Sequence, residues 1–165
     1  MGGRLANRDS RGDWVEDPLK IAIGSDHRGF ALKQHLVTML AGEGHEVIDL
    51  GCTGTEPADF PDYAIPVAEM VASGTAQRGI LVCGSGIGMS IAANKVKGVR
   101  AALCRTVEDA SMTRRHNDSN VLALSERGLD DPKLDELVRV WLSTPFDGGR
   151  HVRRIEKIRR YEERC

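Results

Sequence analysis

The sequence predicts an α/β protein in which helices cover both faces of a five-stranded parallel sheet, giving a three-layer α/β/α sandwich. Short apolar runs, typical of buried strands, alternate along the chain with segments whose apolar residues recur at helical spacing. The 165 residues, 41% of them hydrophobic, can build one domain with a sizeable core, and no internal repeat interrupts the pattern. Right-handed crossovers between parallel strands then place helices on both sides, as in a Rossmann-like sheet.

Strands and helices follow one another in a regular order. The predicted strands cover residues 20–24, 46–50, 79–83, 99–104 and 121–124. The predicted helices cover residues 30–41, 63–73, about 90–96, 107–116, 132–142 and 151–163. The first helix ends before Gly42, where helices commonly stop, and Pro66 falls in the first turn of the second, where proline is tolerated.

Residues 1–18 differ from the rest of the chain. They are polar, rich in Gly, Arg and Asp, and lack the apolar core of a signal peptide. We therefore expect a disordered leader or a cloning remnant there, outside the fold. Residues 19–165 are expected to form a single domain.

The composition argues against several classes of partner. A formal net charge of −1 gives no general attraction to nucleic acid or to a membrane surface, and 4% aromatic residues offer little stacking on bases. No stretch is long and apolar enough to span a bilayer. Since the cysteines lack metal-binding spacing, we expect reduced thiols in a cytoplasmic protein. The four cysteines are Cys52, Cys83, Cys104 and Cys165.

The glycine-rich stretch 83–88 after the third predicted strand is the main candidate for a functional loop. A strand, a glycine bend and a helix start together aim backbone N–H groups at an anion or a developing oxyanion. The thiol of Cys83 would lie beside these donors, where its pKa is expected to fall. The stretch lacks the lysine of a nucleotide-hydrolase loop, and Met89 replaces the last glycine of a dinucleotide fingerprint. The local pattern also allows a buried cysteine before a tight turn.

Two further clusters lie at predicted strand and helix ends. Asp26 and His27 follow the first strand, on the same edge of the sheet as Cys83, although an Asp-His pair also serves as a turn and a cap. His116 and Asn117 end a helix and so lie at the opposite edge. Either they place a basic residue near the helix C-terminus, or they complete a neighbour's site in a two-fold dimer.

The last cluster is basic. Arg150 and Arg154 are four residues apart, so in a helix both project from one face and could hold a phosphate dianion. The alternative is a solvated basic helix, because Lys157 and Arg159 continue the positive charge.

Six stretches, taken together and in order, resemble the B-type ribose-5-phosphate isomerases, a family that also includes galactose- and allose-6-phosphate isomerases. They are Gly24-Ser25-Asp26-His27-Arg28-Gly29-Phe30, Asp62-Tyr63-Ala64, Cys83-Gly84-Ser85-Gly86-Ile87-Gly88, Ile91-Ala92-Ala93-Asn94-Lys95, Arg115-His116-Asn117-Asp118 and Gly148-Gly149-Arg150-His151. The resemblance extends from about residue 20 to the C-terminal helix.

The resemblance implies an aldose–ketose isomerisation of a sugar phosphate through a cis-enediolate, with no metal or organic cofactor. Cys83 would be the base that moves a proton between C1 and C2. Ser85 and the backbone N–H groups of the glycine loop would hold the enediolate oxygen. The glycines concerned are Gly84, Gly86 and Gly88. One branch of the family has a Glu base where this chain has Met89.

The resemblance also assigns the substrate contacts. His116 would help to open the sugar ring, Asp26 would bind hydroxyl groups, and Asn117 would help to position the substrate. The implied phosphate ligands are His27, Arg150 and Arg154, with Arg127 as a secondary candidate. In the family the His-Asn pair comes from the partner subunit. This implies a homodimer or a dimer of dimers, with the C-terminal helix at the interface.

Two alternatives remain for the function. The same chemistry could act on allose 6-phosphate, galactose 6-phosphate or a tetrose phosphate instead of ribose 5-phosphate, because pocket depth decides the substrate. A non-catalytic sugar-phosphate-binding protein is the other alternative, and the presence of Cys83 and His116 argues against it.

Overall fold

A computed structural model describes residues 7–8, 14–15 and 17–164 of the chain. The strands are β1 (Asn7–Arg8), β2 (Trp14–Val15), β3 (Lys20–Ser25), β4 (Glu46–Asp49), β5 (Arg78–Cys83), β6 (Ala101–Leu103) and β7 (Val121–Ser125). The helices are α1 (Phe30–Gly42), α2 (Pro61–Ala72), α3 (Ile87–Ala93), α4 (Val107–Asn117), α5 (Leu134–Ser143) and α6 (Arg150–Glu162), with a 3-10 helix at Glu126–Asp130.

The main sheet has the order β4-β3-β5-β7-β6, and every pair of neighbouring strands is parallel. This confirms the predicted five-stranded parallel sheet. The chain builds β4 on one side of β3 and the later strands on the other, so the strand order reverses between β3 and β5. Ligands of open α/β sheets bind outside the carboxyl ends of the strands at such a reversal.

Two apolar clusters, one on each face of the sheet, form the core. Helices α1, α4 and α5 pack on the face that carries Ile80 and Val82. Helices α2 and α3 pack on the other face, which carries Leu81 and Cys83. The alternation along β5 is the two-residue period of a strand that is covered on both sides, which explains why its sequence is almost wholly apolar. The Cys83 side chain therefore belongs to the α2–α3 side.

The structure corrects several predicted boundaries. Helix α2 begins at Pro61, which occupies its first turn, so Pro66 lies inside the helix and not in the first turn. Helix α3 begins at Ile87 and not at about residue 90, because the bend after β5 covers only residues 84–86 and ends at Gly86, which has a left-handed φ of 76°. The 3-10 helix after β7 was not predicted.

The expected leader falls mostly outside the described residues. Within it, the two short strands β1 and β2 pair in antiparallel fashion, which the sequence pattern does not predict. Disorder of residues 1–18 stays a prediction. Across the part of the chain that the structure describes, no helix has both the length and the hydrophobicity that crossing a membrane requires.

Candidate active site

The glycine loop lies at the carboxyl end of β5, beside the point where the strand order reverses. Cys83 is the last residue of β5, 5% exposed, and its Sγ accepts a hydrogen bond from the Gly86 amide at 3.1 Å. Ser85 is exposed, and its Oγ accepts from the Ile87 amide at 3.3 Å. The loop therefore brings a thiol, a hydroxyl and backbone donors together at one edge of the sheet.

Gly86 is required by this loop for two reasons. Its φ of 76° is a conformation that residues with a Cβ rarely adopt. A Cβ at this position would also lie 2.5 Å from the Leu103 side chain and 2.9 Å from the backbone carbon of Leu124. The loop thus rests directly on the ends of β6 and β7, and its amides are held in place by that close approach.

Asp26 and His27 extend from β3 into the same crevice. Asp26 is buried, and its Oδ1 accepts from the amides of Arg28 and Gly29, both at 3.0 Å, so it does shape the turn before α1. Its Oδ2 makes no hydrogen bond to the described part of the chain. The Nδ1 of His27 lies 3.2 Å from the Ala58 amide nitrogen and 3.3 Å from the Ala58 carbonyl oxygen. In the tautomer in which Nδ1 accepts from the amide, Nε2 carries the ring proton.

Arg28 also lies at this edge of the sheet, although the sequence pattern assigned it no role. Its Nε lies 3.0 Å from Oε1 of Glu126 in the 3-10 helix, and this bond raises the pKa of Arg28. A Cβ on Gly84 would lie 3.2 Å from that Nε, so Arg28 crosses directly over the glycine loop. The Oγ of Ser125 donates to the Gly84 carbonyl at 2.8 Å. These contacts join the loops after β3, β5 and β7, and only the fold brings such distant residues together.

A cavity of about 320 Å³ opens on the α5 side of the glycine loop. Its lining includes Ser85, Arg105 and Arg127 above an apolar floor that contains Cys104. Arg127 therefore belongs to the edge that carries Cys83. Burial raises the pKa of Cys104 to about 12, with a further contribution from Asp109, so this second thiol stays protonated.

His116, Arg150 and Arg154 lie at the opposite edge of the sheet. The rings of His116 at the end of α4 and His151 at the start of α6 are stacked, with centroids 4.4 Å apart and planes at 11°. Burial lowers the pKa of His151, and the charges of His116, Arg150 and Arg154 lower it further. Three of the residues that the family resemblance assigned to the substrate, His116, Arg150 and Arg154, thus lie near one another at this edge. Their roles stay predictions.

The predicted site consequently falls into two groups within one chain. Cys83 is in register with Ser125 at the end of β7, whereas His116 precedes the start of β7. At about 3.3 Å per residue, the length of β7 alone separates the two groups by roughly 13 Å. One group contains Asp26, His27, Gly84, Gly86, Gly88, Cys83, Ser85 and Arg127, and the other contains His116, Asn117, Arg150 and Arg154.

Three possible metal ligands also occur at the second edge. Donor atoms of His116, Asp147 and His151 lie within 4.8 Å of one another. Stacked imidazoles, however, direct their in-plane lone pairs side by side, and Arg115 already binds both carboxylate oxygens of Asp147, at 3.2 and 3.1 Å. An ion at this place would compete with the Arg115 guanidinium for the Asp147 carboxylate. The cluster is therefore arranged as a stack with an ion pair beside it.

A parallel α/β sheet with a thiol and a glycine loop at the reversal of strand order places the candidate site where α/β proteins bind small molecules. Comparison with known proteins specifies the family. The chain belongs to the ribose/galactose isomerase family, whose model matches residues 21–158.

The similar sequences and the similar solved structures both include B-type ribose-5-phosphate isomerases. Ribose-5-phosphate isomerase B of Escherichia coli is 48% identical over 147 residues, which cover 88% of this chain and 97% of that protein. The structure of Clostridium thermocellum ribose-5-phosphate isomerase B superposes with a TM-score of 0.86 at 49% identity, covering 88% of this chain and 99% of that one. A Mycoplasma genitalium ribose-5-phosphate isomerase B with bound ribulose 5-phosphate gives a TM-score of 0.84 at 43% identity, covering 88% and 97%.

Proposed function

We propose that this protein interconverts ribose 5-phosphate and ribulose 5-phosphate, with Cys83 as the base. The observation that carries the proposal is the Cys83 sulfur at the reversal of strand order, bonded to the Gly86 amide within a loop that offers no carboxylate or imidazole. The ribose-5-phosphate isomerases among its relatives, one of them with ribulose 5-phosphate bound, support this substrate.

The chemistry divides between the two groups of residues. His116 donates a proton to the ring oxygen while a water molecule accepts the proton of the anomeric hydroxyl, and cleavage of the bond between C1 and the ring oxygen gives the open-chain aldehyde. The Cys83 thiolate then removes the proton from C2, and the electrons move onto the aldehyde oxygen to form the cis-enediolate. Ser85 and the loop amides stabilise that oxygen where its charge develops. Return of the proton to C1, with a proton shift between the two oxygens, gives the ketose.

Residues of both groups would bind the substrate. In a site that two subunits share, Asp26 and His27 would come from one chain and Asn117, Arg150 and Arg154 from the other. Asp26 would accept hydrogen bonds from sugar hydroxyls, Asn117 would help to position the sugar, and the phosphate would lie between His27 and the two guanidiniums. Phosphate contacts far from the reacting carbons hold those carbons against the sulfur. Arg127 remains a secondary phosphate ligand on the Cys83 edge.

A shared site in a two-fold homodimer would join the two edges. Each Cys83 edge would meet the partner subunit's His116 edge, and two copies of the site would form across one symmetric interface. Exposed apolar side chains on the elements concerned support this arrangement. They are Ile87 and Ile91 on α3 and Val152, Ile158 and Tyr161 on α6. We infer that α6 lies in this interface; a dimer of dimers and a cytoplasmic location remain predictions.

The test is an isomerase assay with ribose 5-phosphate, allose 6-phosphate, galactose 6-phosphate and erythrose 4-phosphate. We expect the highest kcat/KM with ribose 5-phosphate. A clear preference for another sugar phosphate would move the protein to a different substrate within the same chemistry. Binding of all four without turnover would support the non-catalytic alternative and contradict the proposal.

A further inference from the structure

His151 lies against His116 and has no role in the chemistry described above. It is 6% exposed, in the first turn of α6, and its Nδ1 is buried without a hydrogen-bond partner in the described part of the chain. A buried polar atom without a partner costs stability, so its retention requires an explanation. The face of its ring stacks on the ring of His116.

The charged residues around the stacked rings of His116 and His151 oppose a positive charge on His151. Arg150 and Arg154 act on His151 from its own helix, and Arg115 lies next to His116 on α4. Asp147, from the loop before α6, is the one acidic group that acts on His151 within the described part of the chain, and Arg115 binds it. A proton on His151 would therefore be opposed by two guanidiniums and by any positive charge on His116.

We propose that His151 is a positioning residue that fixes the plane of the His116 ring and itself remains neutral. This inference rests on the proposed function, which assigns ring opening to His116. A group that passes a proton to the sugar ring must gain and lose charge during each turnover. A flat neutral neighbour permits that change, because its π face tolerates an adjacent cation, whereas a charged neighbour would repel it.

Ring opening can be measured separately from proton abstraction. Ribulose 5-phosphate cannot form a five-membered ring, because its C5 oxygen is esterified, so exchange of its C1 hydrogen with D2O requires only the enediolate step. Conversion of ribose 5-phosphate requires both steps. Substitution of a residue that serves only ring opening should therefore slow the conversion of ribose 5-phosphate and leave the rate of C1 hydrogen exchange nearly unchanged.

The experiment compares three substitutions at one position. We expect His151→Ala to lower kcat for ribose 5-phosphate about 10-fold or more while C1 exchange stays within about 2-fold of the unsubstituted protein, as for general acid–base groups that lose their orientation. His151→Phe keeps a flat neutral ring and should recover most of the lost kcat. His151→Arg, flat but charged, should not recover it.

The controls separate this inference from the function on which it rests. His35→Ala, at an exposed histidine paired with Asp135, should change neither rate. If His116→Ala fails to lower ribose 5-phosphate turnover selectively, the proposed role of His116 is wrong. If His116→Ala behaves as expected but His151→Ala leaves kcat unchanged, or His151→Arg works as well as His151→Phe, the inference about His151 alone is overturned. Unfolding curves of each variant confirm that it is folded.

Discussion

Individual residues decide whether the glycine loop can present its amides. The left-handed φ of Gly86 and its contact with Leu103 and the Leu124 backbone leave no space for a side chain. Gly98 has nearly the same conformation, with φ 85°, but a Cβ added there would meet nothing within 4 Å in the described part of the chain. Comparing substitutions at the two glycines therefore separates two contributions to the loss of stability. One is the unfavourable backbone conformation, which both positions share, and the other is the steric overlap, which of the two only Gly86 has.

Substitution at these two positions has different expected results. Gly98→Ala should lower the free energy of unfolding by about 1 kcal/mol, the cost of a left-handed residue with a Cβ, and leave turnover unchanged. Gly86→Ala adds a steric overlap that must move the loop, so we expect a loss above about 2 kcal/mol and a fall in kcat of at least roughly 10-fold. Urea unfolding and the isomerase assay measure both quantities. Equal effects of the two substitutions would show that the close approach is unimportant.

At the scale of the elements, an ion pair between Lys33 and Asp49 connects helix α1 with the end of strand β4. The Lys33 ammonium on α1 is 1% exposed, and its Nζ lies 2.6 Å from both oxygens of Asp49 at the end of β4. Asp49 also accepts from the Gly51 amide at 2.9 Å. One carboxylate therefore neutralises a buried charge and shapes the loop that follows β4.

Removing that carboxylate should be costly. Asp49→Asn leaves the Lys33 ammonium buried without its charge partner, so we expect the free energy of unfolding to fall by about 3 kcal/mol. The matched control is Glu43→Gln, which breaks the 2.6 Å pair with Arg139 at the surface and should cost less than about 1 kcal/mol. Urea unfolding at one fixed protein concentration gives both values. A small effect at Asp49 would mean that water or rearrangement solvates Lys33.

The elements themselves were largely predictable, and the exceptions have physical reasons. Alternating or helically spaced apolar residues mark β5 and α1 because each buries a defined face. The start of α3 lacks such a pattern, since two of the residues around it are glycines. The 3-10 helix combines a local contact, the Ser125 cap on the Arg127 amide, with a tertiary one, the pair between Glu126 and Arg28. The tertiary contact leaves no signal in the local sequence.

The candidate site, like the fold, could be predicted from the sequence only in part. Residues at strand ends could be assigned to an edge from the order of elements alone, which correctly separated Cys83 from His116. The Arg28 contact with Glu126 joins residues 98 apart, and the stack of His151 on His116 depends on where α6 begins. Neither leaves a periodic or spacing signal, so neither was predicted.

At the scale of the whole molecule, the proposed site requires two subunits. Cys83→Ala and His116→Ala chains are each expected to be inactive on ribose 5-phosphate. In a mixed dimer one site would carry both substitutions and the other neither. Random exchange of equal amounts of the two chains should therefore restore about a quarter of the unsubstituted activity.

Mass spectrometry of differently labelled chains confirms that exchange has occurred before activity is measured. A mixture of labelled Cys83→Ala with unlabelled Cys83→Ala serves as the control and should remain inactive. Verified mixed dimers without recovered activity would contradict the shared site and leave the assignment of Cys83 untouched.

The central claim is that the Cys83 thiolate moves the proton, and exchange of the C1 hydrogen of ribulose 5-phosphate in D2O, followed by NMR, tests it most directly. We expect Cys83→Ala to reduce the exchange rate by roughly 10³-fold, the size of a lost general base, with sugar phosphate binding retained. Cys104→Ala, which removes the thiol whose pKa burial raises to about 12, should leave the exchange rate unchanged. Exchange that continues at the full rate without the Cys83 sulfur would contradict the account.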